Sequence, residues 1–111
     1  MKKLLTIITL FTCIPFASAD NLDKAREEVK NYFISDSEPK VMDATWTSSN
    51  TFKVGVINDN TNRDGYAQYV CLELYDRGFK GKNVMVRVVD IQKLVQTGEW
   101  VNLGTAFCSA K

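Results

Sequence analysis

The chain has 111 residues, with 14 lysines and arginines against 13 aspartates and glutamates, a net charge of +1, and no histidine. This near-neutral balance argues against a broad nucleic-acid-binding or anionic-membrane surface, since both need clustered basic residues. The lack of histidine excludes Ser-His-Asp and Cys-His catalytic centres and histidine-based zinc sites.

The first 19 residues have the three regions of a cleavable secretory signal peptide. Lys2 and Lys3 form the basic start, residues 4–16 form an apolar run, and the Ala17-Ser18-Ala19 sequence provides the small residues of a cleavage site. A membrane-spanning helix needs about 20 apolar residues, so this run is too short for an uncleaved anchor. The pattern predicts secretion.

Cys13 suggests a second kind of processing, in which a bacterial lipoprotein is cut just before a lipid-modified cysteine. That cut needs a small residue immediately before the cysteine, and Phe11-Thr12 is a poor match. We therefore expect cleavage between Ala19 and Asp20, which removes Cys13 together with the signal peptide.

Cleavage would leave one domain over residues 20–111, too short to form two domains. Without Lys2 and Lys3, 12 basic residues face 13 acidic ones, a net charge of −1. We expect a protein of the bacterial periplasm or the extracellular medium, with no membrane-spanning segment after the cut and no nucleic-acid partner.

Two cysteines remain after the cut, Cys71 and Cys108. In an oxidising compartment, an even pair in a small domain predicts a disulfide. The alternative is a reactive or redox cysteine, which needs a C-x-x-C pair or a basic neighbour that lowers the pKa of the thiol. Neither pattern is evident, so the sequence favours a structural disulfide.

Helical spacing begins in residues 20–33, where Leu22, Ala25, Val29 and Phe33 fall on one face and Asp20 is a candidate amino-terminal cap. Residues 35–39 have the composition of a loop. Residues 41–58 then predict two β-strands, because β-branched and aromatic residues lie on both sides of a Ser48-Ser49-Asn50 turn.

A second helix is predicted over residues 66–77 after a polar loop. Thr61 and Asp64 resemble a capping pair at its start, and Gly78 suits a left-handed stop at its end. Residues 83–91 predict another strand. Residues 90–96 fit either a short helical turn closed by Gly98 or a continued strand, and residues 99–108, with Trp100 among them, predict a final strand.

The resulting order, α-β-β-α-β-(β), predicts an α+β fold: a small two-layer sandwich with a mainly antiparallel sheet, helices on one face and one disulfide. The order resembles that of the BON domain of bacterial envelope proteins, which is built as α-β-β-α-β-β. The resemblance covers most of residues 20–111 as an order of elements, without a shared residue motif.

Asn60, Asn62 and Asp64, followed by Gly65, resemble the first half of a calcium-binding loop, with oxygen ligands at alternate positions. The second half does not fit, because the twelfth position of such a loop is Cys71 where a bidentate glutamate is expected. A turn followed by a helix cap is therefore the favoured interpretation, and we expect no metal or other cofactor.

Tyr66, Tyr69 and Trp100 are candidates for an exposed aromatic surface of the kind that marks protein or glycan contacts. The alternative is that they cover the margins of a small core. With no catalytic residue evident, we expect a non-enzymatic accessory protein that binds another protein or an envelope polymer, for example an inhibitor, an immunity or exclusion factor, or an assembly subunit. A small carboxylate-dependent hydrolase and a calcium-stabilised secreted module are the alternatives, and the oligomeric state is left open.

Overall fold

The computed structural model describes the backbone of residues 17–108 and the side chains of residues 22–108. The predicted signal peptide and the Cys13 site therefore lie almost wholly outside the described residues. The elements along the chain are α1 (Ala17–Phe33), β1 (Val41–Ser48), β2 (Thr51–Val56), α2 (Asp64–Leu74), a π-helical turn (Tyr75–Phe79), β3 (Val84–Asp90), α3 (Ile91–Thr97) and β4 (Asn102–Cys108).

The four strands form one sheet in the order β1-β2-β3-β4. The β1–β2 and β3–β4 pairs are antiparallel, and the central β2–β3 pair is parallel. Helix α2 makes the crossover that a parallel pair requires. The predicted α+β fold with a mainly antiparallel sheet is confirmed.

Helices α1 and α2 pack on the same face of the sheet and enclose the core with it. The strands contribute alternate residues to this core, among them Phe52, Val54 and Val56 of β2 and Val86 and Val88 of β3, all fully buried. Because side chains alternate across a strand, the residues between them point to the opposite face. That opposite face has neither α1 nor α2 over it.

Helix α1 begins at Ala17, so Asp20 lies inside the helix and not at its amino-terminal end. The predicted amino-terminal cap at Asp20 is therefore not seen. The helix buries Val29 and Phe33 completely, as the spacing predicted.

The predicted capping pair of α2 is wrong. The helix begins at Asp64 with Arg63 in the cap position and no side-chain cap. Thr61 instead donates its hydroxyl to Asp59 at 2.5 Å. The Asp64 carboxylate accepts a hydrogen bond from the backbone nitrogen of Thr105 on β4 at 2.9 Å, because the tertiary contact with β4 replaces the local cap.

The carboxyl end of α2 follows the prediction more closely. The α-helix ends at Leu74, the π-helical turn continues to Phe79, and Gly78 adopts the left-handed conformation with φ of +111°. This reversal buries Phe79, whose ring stacks on Trp46 with centroids 5.2 Å apart.

The segment after β3 is the short helix α3, capped by the Asp90 carboxylate on the Lys93 backbone nitrogen and closed by Gly98 in the left-handed conformation. Helix α3 lies on the face opposite α1 and α2, where Ile91 occupies the space that a Cβ at Gly55 would need. The predicted placement of helices on one face of the sheet is thus confirmed for α1 and α2, whereas α3 lies on the other face. Helix α3 also separates this order from the α-β-β-α-β-β order of the BON domain.

The last strand starts at Asn102, later than predicted, so Trp100 lies in the connection that precedes β4. None of the helices in the described part of the chain is long and apolar enough to cross a membrane.

Candidate functional site

The disulfide predicted between Cys71 and Cys108 is present, with the two Cα atoms 5.3 Å apart. It joins the middle of α2 to the end of β4 and thereby fixes the helix layer to one edge of the sheet. A disulfide indicates an oxidising, non-cytoplasmic environment.

Tyr66 and Tyr69 lie together on α2, with ring centroids 5.5 Å apart, and both are half-buried. Their hydroxyl groups donate to the carboxylate of Glu38, that of Tyr66 at 2.7 Å to Oε1 and that of Tyr69 to Oε2. Tyr32 of α1 donates to the same Oε2 at 3.1 Å. Three phenols thus surround one buried carboxylate.

This tyrosine–carboxylate cluster, formed by Glu38 with Tyr32, Tyr66 and Tyr69, joins the loop after α1 to both long helices. Burial and the hydrogen bond to Glu38 raise the pKa of Tyr66 well above its ordinary range. The hydrogen bond to Glu38, followed by burial, does the same for Tyr69. The hydroxyls are therefore held protonated as donors, and the cluster serves to hold the loop in place.

Sequence reasoning missed Glu38 because Ser-Asp-Ser-Glu-Pro has the composition of a solvated loop. Glu38 is nevertheless only 7 % exposed, and its partner Tyr66 is 28 residues away along the chain. The one local signal was the surplus of tyrosines on α2, which needed a polar partner if they were to be buried.

Trp100 does not join Tyr66 and Tyr69. It lies over the opposite face of the sheet, with its ring 4.2 Å from Nζ of Lys53, and it is 47 % exposed. The predicted set of three aromatic residues is therefore divided between the two sides of the molecule.

The candidate calcium ligands do not converge on one point. The Asn62 side-chain oxygen accepts the backbone N–H of Asp64, and the Asp64 carboxylate is bound to the backbone of Thr105. Asn60 adopts a left-handed conformation with φ of 69°, which suits a turn. The described residues contain no group of three or more acidic residues or cysteines placed to hold a metal ion.

The sheet surface opposite α1 and α2 is covered only in part, by the short helix α3, and we call it the open face. It is defined by eight residues: Thr45, Thr51, Lys53, Met85, Arg87, Trp100, Thr105 and Phe107. Strand register and the position of α3 place all eight on the same side of the sheet.

Phe107 stands at one end of the open face and is 73 % exposed. It borders a cleft of about 420 Å³ that is lined by Asn50, Thr51, Asn83, Val84, Met85, Phe107 and Cys108. None of the described residues that line this cleft carries a carboxylate. Its apolar walls and few amide and hydroxyl groups are typical of a binding surface.

The middle of the open face is a row of four register-matched residues, one from each strand: Thr45, Lys53, Arg87 and Thr105. Trp100 lies at the other end of the face, next to Lys53. The open face thus carries an aromatic residue at each end and two basic residues between them.

Comparison of the chain with protein-family models, with curated proteins and with solved structures finds no match.

Proposed function

We propose that this chain is an exported, non-enzymatic binding protein that contacts another protein through the open face. The observation that carries the proposal is Phe107, a phenylalanine with nearly three quarters of its surface in water, on a sheet face without a long helix. Aromatic residues that become buried in a protein contact contribute a large share of the binding free energy.

Export is supported by the basic, apolar and small-residue regions of residues 1–19 and by the Cys71–Cys108 disulfide. A non-enzymatic role is supported by the side chains themselves. The buried carboxylate of Glu38 accepts hydrogen bonds from three phenols, and the described residues that line the cleft beside Phe107 include no acid.

Site-specific photocrosslinking in the producing cell tests this proposal. p-Benzoylphenylalanine is placed at position 107, at position 100 and, as a control, at Ile34, which is 44 % exposed after α1. A partner on the open face gives protein adducts of defined mass from positions 107 and 100 and none from position 34.

Two results would overturn the proposal. One is the absence of protein adducts from positions 107 and 100, and the other is the same adducts from position 34. Adducts that glycan-degrading enzymes remove and proteases leave intact would show an envelope polymer as the partner instead of a protein.

A further inference from the structure

The central row of the open face contains two basic residues on neighbouring strands. Lys53 and Arg87 are register partners on the parallel strands β2 and β3, whose backbones lie about 4.8 Å apart. Like charges directly opposite each other on a sheet are unfavourable for folding.

Neither charge is neutralised within the described residues. The ion pairs found there involve Arg26, Arg63 and Arg77. Lys53 contacts the ring of Trp100, and Nε of Arg87 donates to the sulfur of Met85 at 3.2 Å. Because neither the Trp100 ring nor the Met85 thioether carries a negative charge, the charges of Lys53 and Arg87 remain available to an external anion.

An acidic residue on the same side of the sheet, Asp43 of β1, lies opposite Gly55 and two register positions from Thr45. Its carboxylate accepts the backbone N–H of Ala44 at 2.8 Å and forms no ion pair with Lys53. The open face therefore has a net positive centre.

The two threonines at the ends of the row add hydrogen-bond donors to this centre. Thr105 accepts a hydrogen bond from the Asn102 amide at 2.8 Å, which leaves its own hydroxyl proton to donate. Two cations flanked by hydroxyl groups match the lone pairs of a carboxylate.

We propose that the open face binds an acidic segment of a partner protein, with carboxylates over Lys53 and Arg87 and apolar side chains against Trp100 and Phe107. The proposal rests on the proposed function and adds the chemistry of the partner. The two basic side chains attract the acidic groups of the partner by charge complementarity, and the exposed rings bind the apolar side chains beside those groups.

The apolar ends of the face favour a polypeptide over an anionic glycan. Phe107 lies beside Val84, Met85 and Cys108, a wall that suits aliphatic or aromatic side chains. Phe107 is five residues from the start of β4, a rise of roughly 17 Å, so an extended segment of about five or six residues spans the face. A polysaccharide supplies anionic groups without large apolar side chains.

Binding of three labelled polymers to the purified mature protein tests the inference by fluorescence anisotropy. The probes are a random copolymer of glutamate and tyrosine, poly-L-glutamate and polygalacturonic acid, which is an anionic glycan. The copolymer should bind more tightly than poly-L-glutamate, because it alone offers rings for Trp100 and Phe107, and polygalacturonic acid should bind weakest.

The variant Lys53→Gln/Arg87→Gln should weaken copolymer binding by about tenfold or more. The control Lys24→Gln/Lys40→Gln removes the same net charge from exposed positions outside the open face and should leave binding within about twofold of the parent protein. Circular dichroism confirms that each variant is folded before binding is measured.

The inference is overturned if the folded parent protein does not bind the copolymer, if polygalacturonic acid binds equally well, or if the control variant loses as much affinity as the test variant. These outcomes are separate from the photocrosslinking result. A protein adduct at position 107 together with no copolymer binding would keep the proposed function and reject the acidic partner.

Discussion

Lys53 and Arg87 are direct neighbours on parallel strands, and neither forms an ion pair with a carboxylate of residues 22–108. The pair is half-buried on a sheet face that has Trp100 at one end and Phe107 at the other. Like charges at directly opposite positions of neighbouring strands disfavour folding.

The charge of Arg87 should therefore lower the stability of the protein. We expect Arg87→Met, which keeps the aliphatic stem and removes the charge, to raise the free energy of unfolding by about 0.5 kcal/mol at low salt. The difference should shrink as salt screens the repulsion. Urea unfolding at two ionic strengths measures it, and a less stable Arg87→Met protein would show that the pair does not repel.

The tyrosine–carboxylate cluster should contribute to stability through its charge. Glu38→Gln keeps the shape of the side chain and removes the negative charge that accepts three phenol hydrogens. We expect a loss of about 2 kcal/mol in the free energy of unfolding. Glu27→Gln, at an exposed position of α1, is the matched control and should change the free energy of unfolding little. An equal loss in both variants would contradict a stabilising role of the Glu38 charge.

The same cluster predicts alkaline destabilisation. The pKa values of Tyr66 and Tyr69 are raised in the folded protein above the value of about 10 in an unfolded chain. Folding therefore favours the neutral phenols, so their contribution is complete below pH 10 and is lost as the pH rises through the folded pKa values. The thermal midpoint should fall above pH 10, and less steeply in Tyr66→Phe/Tyr69→Phe. Equal slopes in the two proteins would contradict this assignment.

The disulfide should supply a large share of the total stability. Cys71 and Cys108 are separated by 37 positions, for which the chain-entropy relation gives about 4 kcal/mol. We expect Cys71→Ala/Cys108→Ala to lose roughly that amount in urea unfolding. Intact mass before and after reduction checks the bond itself, and the absence of a two-proton increase would show that it had not formed.

Gly104 and Gly65 should respond to alanine with opposite signs. A Cβ at Gly104 of β4 would collide with the backbone of Arg63 and lie 2.5 Å from the Asp64 nitrogen, so Gly104→Ala should cost about 3 kcal/mol. A Cβ at Gly65, in the first turn of α2, would have no neighbour within 4 Å, and Gly65→Ala should stabilise by about 0.5 kcal/mol. Similar effects of both substitutions on the urea midpoint would contradict the close packing of α2 on β4.

Local patterns in the sequence were enough for most of the elements. The 3.6-residue spacing of Leu22, Ala25, Val29 and Phe33 predicted α1, and the alternation around Val54 and Val86 predicted strands whose inner residues are buried. The errors were at helix starts and strand ends, as at Thr61 and Trp100, where a tertiary contact replaced the local signal.

The candidate site was less predictable than the fold. Tyr66 and Tyr69 were predicted to be exposed. In the structure their hydroxyl groups donate to Glu38, which lies in a loop 28 and 31 residues earlier in the sequence. The exposure of Phe107 was also not predicted, because a phenylalanine on a predicted strand is ordinarily a core residue.

The sequence by itself determined the α+β class, the approximate elements and the Cys71–Cys108 disulfide, because each depends on short-range periodicity or on a count of two cysteines. Only the tertiary structure decided the parallel pairing of β2 with β3, and with it the register pairing of Lys53 with Arg87. The physical reason is that β2 and β3 are joined only through the α2 crossover, and the alternating pattern within either strand does not specify which strand lies beside it.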